Sequence, residues 1–177
     1  MTVTLLIGGA RSGKSMLAVR MGVRHDGPVT FIATAEPGDD DMSARIRKHR
    51  QERPSAWVTV EAPHDVADAI CGASARAFVI VDCLTLWVAN RMLGGVSSAD
   101  IEQEAEKLAA AATSRASVVV VVTNEVGMSV VPDTFLGREY RDVLGRVNTI
   151  VSASAEHAYL VVAGRFLELA SPDAVLR

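Results

Sequence analysis

The chain has 177 residues, of which 49% are hydrophobic and 22% charged, and its formal net charge is −3. This length predicts one domain, residues 1–177, with a core large enough to fold without disulfides. The composition excludes an intrinsically disordered chain and a polybasic one. We therefore expect no nucleic-acid partner.

The two cysteines, Cys71 and Cys83, lie in apolar stretches and lack metal-ligand spacing. They predict buried thiols in a reducing compartment. The N-terminal apolar run has no basic segment before it and no cleavage signal after it, which is typical of a buried strand and not of a signal peptide. No stretch approaches the roughly 18 uninterrupted apolar residues of a membrane span. We expect a soluble, cytoplasmic protein without a membrane span.

Short apolar runs alternate with longer helical patterns along the chain. The predicted strands are Val3–Ile7, Val29–Ala33, Trp57–Val60, Phe78–Val81, Val118–Val122 and Tyr159–Val162. The predicted helices are Lys14–Arg24, Asp40–Gln51, Asp65–Gly72, Thr85–Met92, Ala99–Ser114 and Leu136–Ala155. Runs that are apolar throughout are typical of strands buried on both faces. The alternation predicts a single α/β domain with a mostly parallel sheet, helices on both faces and a ligand at the carboxyl ends of the strands.

A glycine-rich segment follows the first predicted strand and precedes a helical pattern. It matches G-x-x-x-x-G-K-[ST] and consists of Gly8, Gly9, Ala10, Arg11, Ser12, Gly13, Lys14 and Ser15. This context predicts a P-loop NTPase-like fold, in which the glycines let the backbone wrap a phosphate. Lys14 would neutralise the β- and γ-phosphates, and Ser15 would offer its hydroxyl to Mg²⁺. Arg11 could contact phosphate or face solvent.

A P-loop site also needs a carboxylate near the metal, and two candidates follow apolar strands. Asp82 comes directly after one strand, and Glu125 comes shortly after the next. The position of Asp82 favours a metal or nucleotide contact over the alternative, an N-cap for the following helix. Glu125 could contact the groups that bind the metal without binding the metal itself, or it could bind the acceptor substrate.

The segment Asp39–Pro54 begins with carboxylates and ends with cations, which predicts a helix that Pro54 terminates. Steps of three and four residues place five side chains along one side: Met42, Arg45, Ile46, His49 and Arg53. An imidazole between guanidinium groups could attack an α-phosphate and carry a nucleotidyl group. Spacing alone favours the plainer interpretation, a solvated basic face.

Other polar residues carry weaker signals. Beyond the fifth predicted strand, helical spacing groups residues that could face phosphate or form a solvated helix face: Arg138, Arg141, Arg146 and Asn148. The remaining histidines have no comparable neighbours and are interpreted as surface or capping residues: His25, His64 and His157.

Short motifs occur in a fixed order along nearly the whole chain. They are GGARSGKS at Gly8–Ser15, FIATA at Phe31–Ala35, R-I-x-x-H-x-x-x-R-P within Asp39–Pro54, DCLT at Asp82–Thr85, TNEVGM at Thr123–Met128, VP at Val131–Pro132 and GRVN at Gly145–Asn148. Together they resemble the adenosylcobinamide kinase / adenosylcobinamide-phosphate guanylyltransferase family of cobalamin biosynthesis.

This resemblance implies a bifunctional enzyme. It would phosphorylate adenosylcobinamide with ATP or GTP and then transfer GMP from GTP to that phosphate, releasing pyrophosphate. The resemblance makes His49 the residue that carries GMP as a phosphoramidate, with Lys14 as the second catalytic residue and Mg²⁺ at Ser15 and Asp82. Beyond Gly8–Ser15, it assigns nucleotide binding to Ala33, Thr34, Ala35, Arg50, Gln51, Glu52, Arg53, Glu61 and Asp82. It also implies a homo-oligomer, typically a trimer.

Two other functions are compatible with a P-loop. One is a simple kinase of another small alcohol, in which His49 is only a surface residue. The other is a regulatory module that hydrolyses GTP slowly without a small-molecule acceptor.

Overall fold

The computed structural model describes residues 2–38, 40–51 and 53–175, without the side chains of residues 40–43, 45, 173 and 175. The strands are Val3–Gly8 (β1), Val29–Ala33 (β2), Val58–Glu61 (β3), Phe78–Asp82 (β4), Val119–Asn124 (β5), His157–Val162 (β6) and Arg165–Glu168 (β7). The helices are Lys14–Val23 (α1), Asp40–Gln51 (α2), Val66–Gly72 (α3), Leu84–Leu93 (α4), Ser98–Thr113 (α5), Phe135–Ala153 (α6) and Pro172–Val175 (α7).

The strands form one sheet in the order β3-β2-β4-β5-β1-β6-β7. Neighbouring strands are parallel except for β6 and β7, which pair antiparallel. The predicted α/β architecture with a mostly parallel sheet is confirmed. Strand β7 was not predicted, because all four of its residues are exposed and it lacks a buried apolar run.

Hydrophobic residues pack on both faces of strands β1, β2, β4 and β5, as their continuous apolar runs predict. The same prediction is wrong for β3 and β6, which lie nearer the two edges of the sheet and are only partly buried. On one face, β-strand residues such as Val79 and Val121 pack with helices α3, α4, α5 and α6. On the other face, Leu6 and Val122 pack with Ala18 of α1. Successive side chains of each strand alternate between the two faces. Helix α1 covers the face opposite to the one on which α3, α4, α5 and α6 pack.

The cysteine prediction is wrong for Cys71, which is exposed in the last turn of α3, while Cys83 is half-buried. Helix α3 directs the neighbouring Ile70 into the core. A side chain one position further along the helix points about 100° away from it. Within the described residues, no helix combines the length and the apolar character needed to cross a bilayer.

A buried arginine joins α3, α5 and β4. Arg115 is 8% exposed, and its guanidinium group donates to the carbonyl oxygens of Ile70 at 2.9 Å, Ala73 at 3.0 Å and Ala77 at 3.3 Å. These bonds give partners to carbonyl groups at the end of α3, where the last carbonyls of a helix lack partners within the helix, and in the segment that follows. The side chain therefore fixes how the chain enters β4.

We expect Arg115→Ala to lower the free energy of unfolding by about 2–4 kcal/mol, because it removes several hydrogen bonds to backbone carbonyl groups and leaves a cavity. Urea unfolding of the two proteins measures this. The matched control is Arg76→Ala, which removes an exposed arginine nearby and should change stability by no more than about 0.5 kcal/mol. Equal effects of the two substitutions would contradict the role given to Arg115.

Candidate functional site

A cavity of about 890 Å³ lies at the carboxyl ends of the parallel strands. Its floor lies along one row of residues that are paired across neighbouring strands. The row consists of Glu61, Ala33, Asp82, Val122 and Leu6. Side chains in one row of a parallel sheet share a face, and this is the face that α1 covers. The cavity has the size of a typical cofactor or substrate site.

The P-loop forms one wall of the cavity. Gly13 adopts φ +104° at the start of α1, a conformation that favours glycine. A Cβ atom at Gly8 would lie 2.2 Å from the carbonyl oxygen of Val161 on β6. The turn between β6 and β7 supports the loop as well, since the backbone N–H of Gly164 donates to the carbonyl oxygen of Ser12 at 2.8 Å. The two glycines thus let the loop fit closely against this hairpin.

The side chain of Lys14 is 6% exposed and lies across the P-loop. Its Nζ donates to the carbonyl oxygen of Gly9 at 2.7 Å and to Oγ of Ser12 at 3.2 Å. Residues 10–15 all line the cavity, including the exposed Arg11. The loop and its lysine therefore lie together at one wall of the cavity.

Asp82 lies at the centre of the cavity floor. Its Oδ1 accepts a hydrogen bond of 3.1 Å from Oγ of Ser15. Burial raises the pKa of the Asp82 carboxyl above its ordinary value, while the Ser15 hydrogen bond and the nearby basic side chains oppose this shift. Helix α4 begins after Cys83, its N-cap residue, so Asp82 does not act as the N-cap.

The hydroxyl and carboxylate oxygens of Ser15 and Asp82 are hard donors of the kind that Mg²⁺ prefers. In the described ranges, no group of three or more histidine, cysteine, aspartate or glutamate residues could hold a metal ion by itself. A cation at this pair would complete its coordination with phosphate oxygens and water, which is typical of Mg²⁺ sites. The donor set fits Mg²⁺.

Glu125 takes a different position from Asp82. Its carboxylate caps the turn that follows β5, accepting from the backbone N–H of Gly127 at 2.9 Å and of Met128 at 3.2 Å. It is not among the residues that line the cavity. Of the two carboxylates predicted from the strand ends, the structure brings only Asp82 to the P-loop.

Thr34 is fully buried, and its side chain is bonded away from the cavity. The hydroxyl donates to the carbonyl oxygen of Cys83 and accepts from its N–H, both at 2.7 Å. Asn90 donates to the carbonyl oxygen of Thr34 at 2.8 Å. Thr34 therefore fixes the backbone next to Asp82, while its neighbours Ala33 and Ala35 line the cavity.

The opposite wall of the cavity comes from α2, which carries the half-buried His49. Two contacts join the end of this helix and the segment after it to the sheet. Arg50 pairs with Glu61 at 2.6 Å, and the guanidinium carbon of Arg53 lies 3.4 Å from the ring centroid of Phe31. All of these residues line the cavity.

The predicted helical side is only partly described. The side chains of Met42 and Arg45 and the whole of Glu52 lie outside the described residues, and Gln51 is exposed at the end of α2. Arg53 was predicted to lie on the helix, but it follows the end of the helix. The reason is that the residue directly before a proline, here Pro54, is disfavoured from helical geometry. It reaches the cavity from the connecting segment.

The polar residues of α6 lie outside the cavity. The arginines bond within the protein: Arg138 to the carbonyl oxygens of Pro132 and Asp133, Arg141 to Asp142, and Arg146 to Glu102. Asn148 is buried and bonds to Thr123 and to the backbone of Asn124. Of the other histidines, His25 packs on Phe78, His64 lies near Glu36, and His157 contacts Glu168. None of them lines the cavity.

Sequence reasoning missed several cavity residues: Phe31, Thr59, Thr85, Leu86 and Asn124. A signal was present for three of them, because Phe31, Thr85 and Asn124 belong to the FIATA, DCLT and TNEVGM motifs. Thr85 and Asn124 also lie at or just after the ends of buried strands, as ligand-binding residues do in parallel sheets.

Comparison with known proteins gives a match over most of the chain. The family described as cobinamide kinase / cobinamide phosphate guanyltransferase matches residues 4–169. The chain belongs to this family. The resemblance inferred from the motifs is therefore confirmed, and the cobinamide kinase / guanyltransferase family is one of enzymes with two activities.

Curated relatives are similar to this chain along nearly their whole length. The chain is 39% identical over 173 residues to the bifunctional adenosylcobalamin biosynthesis protein CobU of Escherichia coli, covering 90% of this chain and 95% of that protein. It is 38% identical over 161 residues to CobP of Pseudomonas aeruginosa, covering 90% and 92% of the two chains. A solved ATPase from a type III secretion system superposes with a TM-score of 0.60 at 8% identity, over 99% of this chain and 60% of that one. This last likeness shows a shared fold, in agreement with the predicted P-loop NTPase-like architecture.

The two cysteines are expected to differ in reactivity. Burial, together with the adjacent Asp82 charge, raises the pKa of the Cys83 thiol to about 11. Only about one-thousandth of such a thiol is ionised at pH 8, and the thiolate is the reactive form. At pH 8 a disulfide reagent should therefore label Cys71 first. A Cys71→Ser protein, which keeps only Cys83, should react slowly at pH 8, and its rate should increase as the pH is raised toward 11. Equal rates for Cys71→Ser and Cys83→Ser at pH 8 would contradict this expectation.

Proposed function

We propose that this chain phosphorylates adenosylcobinamide with ATP or GTP and then transfers GMP from GTP to the product, giving adenosylcobinamide-GDP and pyrophosphate. The observation that carries the proposal is one cavity with a P-loop on one wall and His49 on the other. Membership of the cobinamide kinase / guanyltransferase family supports it. A simple kinase would need only the wall that the P-loop forms.

In the first step, the P-loop residues Gly8–Ser15 bind the triphosphate through their backbone N–H groups. Lys14 exchanges its bond to the carbonyl oxygen of Gly9 for the β- and γ-phosphates, where its charge is needed. Ser15 and Asp82 would hold Mg²⁺, which neutralises phosphate charge when bound. The protein's contribution is positioning and charge stabilisation.

In the second step, an imidazole nitrogen of His49 attacks the α-phosphorus of GTP. A P–N bond forms, and the bond to the bridging oxygen breaks with its electron pair leaving on pyrophosphate. The phosphate of adenosylcobinamide phosphate then attacks the same phosphorus, and the P–N electron pair returns to the imidazole. Arg50 and Arg53 lie on this side of the cavity and would stabilise the charge that develops on the transferred group.

The nucleoside would lie along the strand ends between these two walls. Ala33 and Ala35 offer small surfaces that leave room for it, and Glu61 offers a carboxylate. Gln51 and Glu52 complete the proposed nucleotide-binding set. Thr34 contributes through its backbone position, since its hydroxyl is bonded to Cys83.

The direct test supplies the purified chain with adenosylcobinamide, Mg²⁺ and GTP and follows the corrinoid by mass spectrometry. We expect adenosylcobinamide phosphate first and adenosylcobinamide-GDP later. Accumulation of the phosphate alone would favour the simple kinase, and GTP hydrolysis with unchanged corrinoid would favour the regulatory module.

The carboxylate assignment gives a further prediction. Asp82→Asn should lower both activities by about 10²-fold or more, because it removes a charge at the proposed cation site. The matched control is Glu125→Gln, which alters a carboxylate that caps a turn outside the cavity and should retain activity within about threefold. Steady-state assays over a range of Mg²⁺ concentrations measure both, and the reverse order would assign the metal to Glu125.

We further propose a cytoplasmic homo-oligomer, typically a trimer, as the resemblance to the family implies. Sedimentation analysis of the purified chain tests the trimer. A monomer at working concentration would exclude it.

A further inference from the structure

Asn124, the last residue of β5, lines the cavity and has no role in the two proposed steps. Its backbone N–H donates to Oγ1 of Thr85 at 2.8 Å, and its carbonyl oxygen accepts from Nδ2 of Asn148 at 3.0 Å. Its carboxamide makes no hydrogen bond to any residue in the described ranges. Hydrogen bonds therefore fix the backbone of Asn124, while its carboxamide is able to bind a ligand.

The groups that hold Asn124 are themselves fixed. Asn148 is 8% exposed, and its Oδ1 accepts from the Thr123 hydroxyl at 2.7 Å. Tyr140 donates its hydroxyl to the carbonyl oxygen of Thr85 at 3.1 Å. Side chains from α4 and α6 therefore define the position of the Asn124 backbone. A polar side chain on a fixed backbone is what a preorganised binding group requires.

The strand register places Asn124 between the P-loop and Asp82. Asn124 pairs with Gly8 of β1, whereas Asp82 of β4 pairs with Val122. Val122 and Asn124 are two residues apart on one strand and so share a face. Because strands lie about 4.8 Å apart and two residues rise about 6.6 Å, the Cα atoms of Asp82 and Asn124 are about 8 Å apart. That separation leaves room for a phosphate between their side chains.

The same topology separates Asn124 from the histidine wall. Strand β4 with Asp82 lies between β5 and β2 in the sheet. The end of α2 is joined to β3 through Arg50 and Glu61, and the segment after it to β2 through Arg53 and Phe31. His49 therefore approaches from the far side of Asp82. Asn124 lies on the side where Lys14 and Ser15 would hold the β- and γ-phosphates.

We propose that the Asn124 carboxamide orients the terminal phosphate of the triphosphate for attack in the kinase step and is not needed for the chemistry of guanylyl transfer. This inference rests on the proposed function. Nδ2–H donates to a γ-phosphoryl oxygen, and Oδ1 accepts from the attacking hydroxyl of the acceptor. The acceptor oxygen bonds to the γ-phosphorus, the bond to the β,γ-bridging oxygen breaks with its pair leaving on the nucleoside diphosphate, and the hydroxyl proton passes to the transferred phosphoryl group.

The experiment measures the two half-reactions separately in Asn124→Ala and Asn124→Asp. Transfer of γ-³²P from GTP to adenosylcobinamide reports the kinase step, and acid-labile labelling of the protein by α-³²P-GTP reports guanylylation of His49. In Asn124→Ala the kinase kcat should fall about 10²-fold, with a smaller change in KM for GTP, and labelling should stay within about twofold. Asn124→Asp should be slower still, because its charge repels the phosphate.

Glu125→Gln serves as the control for disturbance of the same loop and should leave both half-reactions near the wild-type level. An unchanged kinase kcat in Asn124→Ala would overturn the inference. Parallel loss of both half-reactions would overturn it as well, since Asn124 would then act in general nucleotide binding or folding. A wild-type protein without kinase activity would instead overturn the proposed function, and this inference with it.

Discussion

Replacement of His49 with alanine is expected to abolish covalent labelling of the protein by α-³²P-GTP and to lower formation of adenosylcobinamide-GDP on the order of 10⁴-fold or more. The reason is chemical, since the substitution removes the only nitrogen nucleophile that the proposal uses. Phosphorylation of adenosylcobinamide should continue within a few-fold, because the P-loop wall is intact. Wild-type label should be labile in acid and stable in alkali, as a P–N bond requires.

Two variants make the His49 experiment specific. His49→Gln keeps a polar side chain on α2 and should also fail to label, which separates chemistry from loss of helix packing. His157→Ala removes an imidazole from β6, outside the cavity, and should label normally. Label that persists in His49→Ala, or that appears equally with α-³²P-ATP, would contradict a guanylyl-histidine at this position.

Replacement of Lys14 with alanine is expected to lower the kinase kcat by about 10²–10³-fold and to weaken GTP binding. The ammonium group is buried against the P-loop, where it lies 2.7 Å from the carbonyl oxygen of Gly9. Its loss leaves the triphosphate charge uncompensated in a partly desolvated site. Guanylylation of His49 should fall too, since both steps bind a triphosphate at the same loop.

The comparison for Lys14 is Lys107→Ala, which removes an exposed lysine of α5 and should change neither activity by more than about twofold. Kinase and labelling assays with titrated GTP measure all variants together. We expect Lys14→Ala to impair both half-reactions and His49→Ala to impair only the second. A Lys14→Ala protein with unchanged kinase kcat would contradict the P-loop assignment.

The parts of the fold that could be predicted are those whose information is local. The apolar runs of β2 and β4 are long enough to be recognised without partners, and the charge asymmetry of α2 matches its observed bounds, Asp40–Gln51. Strand β7 could not be predicted, because it exists only through its antiparallel pairing with β6. Its exposed residues carry no hydrophobic pattern of their own.

The candidate site divides in the same way. The P-loop and Asp82 have sequence signatures, because a glycine pattern and a strand followed by a carboxylate are local features. The orientation of a side chain is not local. Thr34 directly follows a buried strand, and Asn124 is the last residue of another. The Thr34 hydroxyl is nevertheless bonded to the backbone of Cys83, whereas Asn124 lines the cavity. Only the packing of α4 and α6 behind the sheet distinguishes them.

The contact between the P-loop and the β6–β7 hairpin has a consequence for biosynthesis of the chain. Gly8 and Ser12 are translated well before Val161 and Gly164, whose carbonyl and N–H groups support them. The nucleotide cradle is therefore completed only after the β6–β7 hairpin has left the ribosome. A nascent chain that ends before this hairpin would hold the phosphate-binding sequence without its scaffold.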